Sequence, residues 1–323
     1  MLILLLNSVK KHKIIFEKMQ TEFFDISGLS RITFRQDING LRGIAVLGVV
    51  FYHADFIYFK GGWLGVDIFF LISGYLISNI IISELNAKKF SFKNFYLRRV
   101  KRILPALFST LFITSIFSYF ILSPDALIQY SKSLIASIFF GANYYFQNLD
   151  FYNLSPTRFM PLIHMWSLAI EEQFYLLFPL LTFTIYKVFK KYLFIFFLFL
   201  STFSILINLF ISENYKFYQF QFRVWEFILG GLLMVLNSKI SFKGLDNFGF
   251  PILLFSYFYF DDLMINSLLP KVTALLGVAL ILISNNDASF TKKLLNSKII
   301  TLVGTISFSF YLLHQPLFAF YRI

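Results

Sequence analysis

Arg42 and His53 stand eleven residues apart in the otherwise apolar stretch 38–59. On a helix that separation is close to three turns, so both side chains share a face, about 16 Å apart along the axis. Ionisable residues at bilayer depth are costly and mark function by default. A guanidinium suits an anion, and an imidazole suits proton transfer or nucleophilic attack. Arg42 could instead snorkel to the headgroups. His53 has no such alternative unless it already lies at the far interface.

Four further sets of polar residues interrupt apolar sequence. Asp67, Ser73 and Tyr75 fall in a span rich in glycine (Gly61, Gly62, Gly65, Gly74), where Asp67 could pair with a cation such as Arg42. Arg99 and Arg102 are three apart, and on a helix they form a fork suited to phosphate oxygens. By charge alone they read equally as an ordinary cytoplasmic cluster. His164, Trp166, Ser167, Glu171 and Glu172 form the densest polar group. His164 and Glu171 share a helical face, and adjacent carboxylates cannot both face lipid. Acid–base work or hydroxyl binding suits this group, and without a third ligand no metal is expected. His314, before Gln315-Pro316, reads as a helix-terminal interfacial residue.

The elements that must position these groups are membrane helices. Of 323 residues, 58% are hydrophobic and only 14% charged, with a mean hydropathy of +0.70. A soluble domain could not bury so much apolar surface. Ten apolar runs occur, at 38–59, 62–82, 103–123, 131–147, 163–186, 192–211, 220–236, 248–260, 271–284 and 299–321. They predict an all-α bundle of about nine or ten transmembrane helices. The net charge of +12 collects in short loops, as when Lys and Arg hold loops in the cytoplasm, and does not indicate a nucleic-acid partner. With no cysteine there is neither a disulfide nor an acyl-cysteine intermediate.

The basic segment 83–102 reads as cytoplasmic. So do the loops with Lys187, Lys190 and Lys191, with Lys239 and Lys243, and with Lys292, Lys293 and Lys298; those with Glu213 and with Asp261 and Asp262 read as external. Joining them requires an even number of crossings between 103 and 186, where three runs lie. The shortest run, 131–147, is therefore expected to be re-entrant or interfacial. Residues 1–33 read as a cytoplasmic or interfacial segment.

The motifs together resemble the acyltransferase type 3 family of bacterial membrane O-acyltransferases. The segments concerned are Phe34 to Leu47 with Tyr52-His53, Gly61 to Leu76, Arg98 to Pro105, His164 to Tyr175 and Ile306 to Pro316. The resemblance implies a cytoplasmic-membrane enzyme, with 34–323 as its integral-membrane domain, that moves acetyl or another acyl group from acyl-CoA to a sugar hydroxyl. The acceptor would be an envelope glycan such as O-antigen, capsule or peptidoglycan, or a lipid-linked sugar.

The family's Arg-x10-His pattern falls on Arg42 and His53, and its Arg-x-x-Arg pattern on Arg99 and Arg102. These imply donor-phosphate binding by Arg42, Arg99 and Arg102. His53 would be general base or acyl carrier, with Glu171 or Glu172 orienting it or binding the acceptor. Acyl-CoA would be a substrate, and no cofactor is expected to stay bound. The last run ends at Arg322-Ile323 close behind its motif, which leaves open a clipped span, a short gene or a fragment. The rival readings are a multi-span transporter and an inactive remnant.

Overall fold

The structure is a computed structural model that describes residues 35–149, 156–211, 217–237, 242–284 and 288–323. The expectations for 1–33, Glu213 and Lys239 lie outside the described residues. Among the described residues twelve α-helices follow in order: α1 (Gln36–His53), α2 (Gly65–Asn86), α3 (Phe92–Ile121), α4 (Pro124–Ile138), α5 (Ala142–Gln147), α6 (Met165–Phe189), α7 (Leu193–Phe210), α8 (Val224–Asn237), α9 (Asp246–Tyr259), α10 (Leu268–Ile283), α11 (Phe290–Leu295) and α12 (Lys298–Arg322). Among the described residues the only β pairing is an isolated bridge between Phe242 and Ser284. By length and composition, Gly62–Asn86, Phe92–Ile121, Met165–Phe210 and Lys298–Arg322 can cross a membrane, and Val224–Leu236 and Leu268–Ile283 are shorter apolar helices. The chain is an all-α, multi-pass membrane bundle.

Close approach fixes the directions of the central helices. On α2, Gly74 lies against the carbonyl of Phe227, and on α8, Gly230 lies against that of Leu71. Two helices interlocked through bare backbone leave no room for a methyl group on either side. Gly74→Ala is therefore expected to lose about 1–3 kcal/mol to overpacking. A lowered thermal midpoint of detergent-solubilised protein would show this, and an unchanged midpoint would contradict it. α12 runs parallel to α1, pinned at one end by Asn39 Nδ2 donating to Thr301 O (2.9 Å) and Thr305 Oγ1 (2.9 Å).

At that same end Asp37 accepts from Arg35 and Lys292, and Tyr186 donates to Asn86 (2.6 Å). The loops expected to be cytoplasmic thus gather at one basic end. Asp261 and Asp262 lie at the opposite end, beyond Tyr259.

Two expectations about the elements need correction. The run 38–59 is not one helix, because α1 stops at His53. Asp55 takes a positive φ of 56° and Gly61 N–H donates to Tyr257 O (2.9 Å), turning the chain back toward α2. Asp is among the residues that tolerate this conformation.

The run 131–147 is also two helices, α4 and α5, broken where Phe140 takes a φ of 53°. Gln173 Nε2 on α6 donates to Phe140 O (3.0 Å), satisfying the broken end, and Tyr145 O–H donates to Gln129 O (3.2 Å), folding α5 back along α4. The pair enters from the end of α3 and returns to the start of α6. It therefore makes no net crossing, which resolves the parity conflict between the basic loops.

Candidate active site

α1 presents Arg42 and His53 to two different cavities. The first, toward the basic end, is lined by Arg42, Arg99, Arg102, Ser73, Glu171 and Tyr175. The second, toward the opposite end, is lined by Tyr52, His53, His164, Trp166, Arg223 and Arg322 among others.

The first cavity holds concentrated positive charge. α3 continues through Pro105, so Arg99 and Arg102 stay on one face as the fork the spacing required. Arg99 lies over the rings of Phe95 (5.7 Å) and Tyr175 (5.3 Å), and its Nε is buried with no hydrogen-bond partner among the described residues. Ion pairs among the described residues go to other cations: Arg35, Arg98, Arg223, Lys292 and Arg322. Glu171 accepts from the hydroxyls of Ser73 and Tyr175. Glu172 Oε1 is buried without a partner among the described residues.

The second cavity holds a histidine cluster whose backbone partners fix the tautomers. His53 Nδ1 lies 3.0 Å from Val49 O, and a carbonyl can only accept, so Nδ1 carries the proton. The same argument protonates His314 Nδ1, which lies 2.5 Å from Tyr311 O. His314 Nε2 is then a lone pair, 3.2 Å from His53 Nδ1, and it accepts that same proton in a shared bond. Both partners therefore hold His53 from its Nδ1 side. Its Nε2 is left as an unprotonated base on a partly exposed ring lining the cavity.

His164 plays a different part. Pro316 lacks an N–H, so the carbonyl of Leu312 one turn earlier is freed from α12, and His164 Nε2 donates to it at 3.1 Å. Ser167 and Tyr311 hydroxyls lie 2.5 Å apart, and both can donate to His164 O (3.1 Å each).

Asp67 does not pair with Arg42. It accepts from Arg223 Nη1 at 2.8 Å, and the same nitrogen reaches Glu226 Oε1 at 3.0 Å. All three are buried, and Trp166 and Phe217 lie against the guanidinium, 5.4 and 5.3 Å from it. Arg42 lies in the first cavity, out of that triad. Tyr75 accepts from Arg35 (3.1 Å) and braces the start of α1. His314 is not helix-terminal, since α12 runs on to Arg322 and the ring is buried beside His53.

The sequence reading passed over Arg223 and Glu226, although a charged pair three apart opening the run 220–236 was a usable signal. Tyr311 carried none. Glu171 joins the arginines and not His53, whose side-chain neighbour is His314.

Comparison with known proteins shows the family. The acyltransferase-domain family matches residues 35–323. The O-acetyltransferase OatA of Staphylococcus aureus (strain NCTC 8325 / PS 47) is 34% identical over 307 residues, 88% of this chain and 50% of that protein. A second S. aureus protein (strain MSSA476), SAS0844, named as a candidate O-acetyltransferase, is 30% identical over 313 residues, 90% of this chain and 52% of its own length. The chain spans about half the length of the curated relatives it matches. No solved structure matches it. With residues 35–323 matched and four helices long and apolar enough to cross a membrane among the described residues, this chain belongs to the acyltransferase-domain family of membrane proteins.

Proposed function

We propose that the chain is an O-acetyltransferase of the bacterial cytoplasmic membrane, moving acetyl from acetyl-CoA to a hydroxyl of an envelope glycan or lipid-linked sugar. The observation that carries this reading is His53, held from its Nδ1 side by Val49 O and His314 so that Nε2 is a free base. The names of the relatives support acetyl as the group and oxygen as the acceptor atom. With the basic end in the cytoplasm, the phosphates of the donor bind at Arg42, Arg99 and Arg102. Glu171, held by Ser73 and Tyr175, contacts the donor arm beyond them.

The acceptor hydroxyl enters the second cavity, and His53 Nε2 takes its proton as the oxygen attacks the thioester carbonyl. The tetrahedral intermediate expels the coenzyme A thiolate, which receives that proton from the imidazolium. Ester and free thiol are the products. If Nε2 attacks the carbonyl directly, the C–S bond breaks and coenzyme A leaves as thiolate from an acyl-imidazole; the hydroxyl then attacks that acyl group, the C–N bond breaks, and the hydroxyl proton passes to the thiolate.

The test uses membranes carrying the chain, supplied with labelled acetyl-CoA. Label on the glycan fraction supports the reading. Arg99→Gln and Arg102→Gln are each expected to raise the KM for acetyl-CoA about tenfold, the equivalent of one charge-assisted contact of about 1.5 kcal/mol. An unchanged KM in both variants would remove the donor assignment.

A further inference from the structure

The arginines and His53 occupy separate cavities, so transfer between them requires a passage. Among the described residues only Val66 and Tyr311 line both cavities. Val66 is a short buried side chain carried on α2. Tyr311 is a buried ring whose hydroxyl is held by Ser167 Oγ at 2.5 Å and by His164 O at 3.1 Å. Its ring packs edge-on against Phe69 (6.2 Å) and His164 (5.5 Å), and lies 5.3 Å from His314. Its own carbonyl accepts from His314 Nδ1, the residue that braces His53.

A ring fixed at its tip by two exchangeable hydrogen bonds can swing about its side-chain torsions without disturbing α12. The same hydroxyl, once freed, can bond to an incoming carbonyl group, so that release from Ser167 leaves no buried polar atom unsatisfied.

We infer that the ring of Tyr311, by its bulk, is the gate between the two cavities and limits the length of the acyl chain that reaches His53. This deepens the acyl-transfer reading and rests on it for the identity of what passes, although the barrier itself does not. Acetyl needs only a small displacement of the ring. Each added methylene must occupy space that the ring fills, so longer chains are excluded on size and not on chemistry. Tyr311 is a specificity-determining residue here and takes no proton from the substrate.

The natural chain has no cysteine, so one introduced thiol can be labelled alone. Ile163→Cys places it in the second cavity. In sealed vesicles of known orientation, a small anionic methanethiosulfonate reagent is added from the arginine side. With Tyr311 present, and in Tyr311→Phe, which keeps the ring, the thiol is expected to label only from the opposite side. In Tyr311→Ala, labelling from the arginine side is expected to rise at least tenfold. Tyr311→Leu carries the same expectation at smaller amplitude, should the alanine variant not accumulate. Labelling independent of residue 311 overturns the gate.

Turnover supplies the second readout. The ratio of butyryl to acetyl transfer is expected to rise about tenfold in Tyr311→Ala and to stay put in Tyr311→Phe, and an unchanged ratio in the alanine variant overturns the size limit. Because labelling needs no turnover, the gate and the acyl-transfer reading fail separately. Opened labelling with no acyl-CoA consumed by any variant would keep the gate and remove the enzyme assignment.

Discussion

His53→Gln is expected to lose acetyl transfer by about a thousandfold or more while its level in the membrane stays unchanged. Glutamine is close to histidine in reach, and its amide N–H can still donate to Val49 O, so the end of α1 keeps its hydrogen bond. It has no basic lone pair, so the proton of the acceptor hydroxyl has nowhere to go. His314→Gln provides the contrast. Its amide oxygen can still accept from His53 Nδ1, which preserves the tautomer, and a loss of only about tenfold is expected.

Rates of acetyl transfer in the two variants, measured beside each other, decide the assignment. Full activity in His53→Gln would remove the mechanism, and equal losses in both would make the histidine pair a single unit. Hydroxylamine-releasable label on the protein, formed from acetyl-CoA with no acceptor present, would show that His53 carries the acyl group and does not act as base alone.

How much of this was legible in the sequence depended on how far apart the partners lie. Arg42 with His53, and Arg99 with Arg102, are local spacings, and a helix converts local spacing directly into a shared face. The apolar runs marked nearly every helix for the same reason. The break in 131–147 carried no local signal, since Phe140 is not a residue that usually takes a positive φ. Counting how often the chain could cross between basic loops indicated only that the run is re-entrant or interfacial, a constraint on the whole bundle that says nothing of where it breaks.

Contacts across the bundle were hidden. Nothing near Asp67 indicates Arg223, which is 156 residues away. Nothing near His53 indicates His314, which is 261 residues away. The glycine-rich stretch 61–74 announced close packing without saying against what. The partners are the backbones of α1, α8 and α9, through the carbonyls of Ala45, Gly48, Phe227 and Ser256. The division into two cavities was equally hidden, because Arg42 and His53 on one helical face suggested one continuous track.

The Arg223 triad yields the largest stability effect. Arg223→Met is expected to destabilise the bundle by about 3–5 kcal/mol, because Asp67 and Glu226 then lose the guanidinium that both contact, and buried Lys271 is left as the cation near Glu226. The side-chain exposures are 1% for Arg223 and 0% for each carboxylate, so water cannot take over the role of the guanidinium. The rings of Trp166 and Phe217 would retain an apolar neighbour in methionine, so the loss isolates charge from packing.

The triple variant Arg223→Met, Asp67→Leu, Glu226→Met removes the three charges of the triad, leaves Lys271 in place, and is expected to recover part of the stability, since a buried ion network is often worth no more than apolar packing of similar volume. Thermal unfolding of the purified protein in detergent reads both variants. Similar losses in the single and the triple variant would show that the network contributes stability of its own. Recovery of stability without recovery of acetyl transfer would instead place Arg223, which lines the second cavity beside Trp166, among the groups that hold the acceptor.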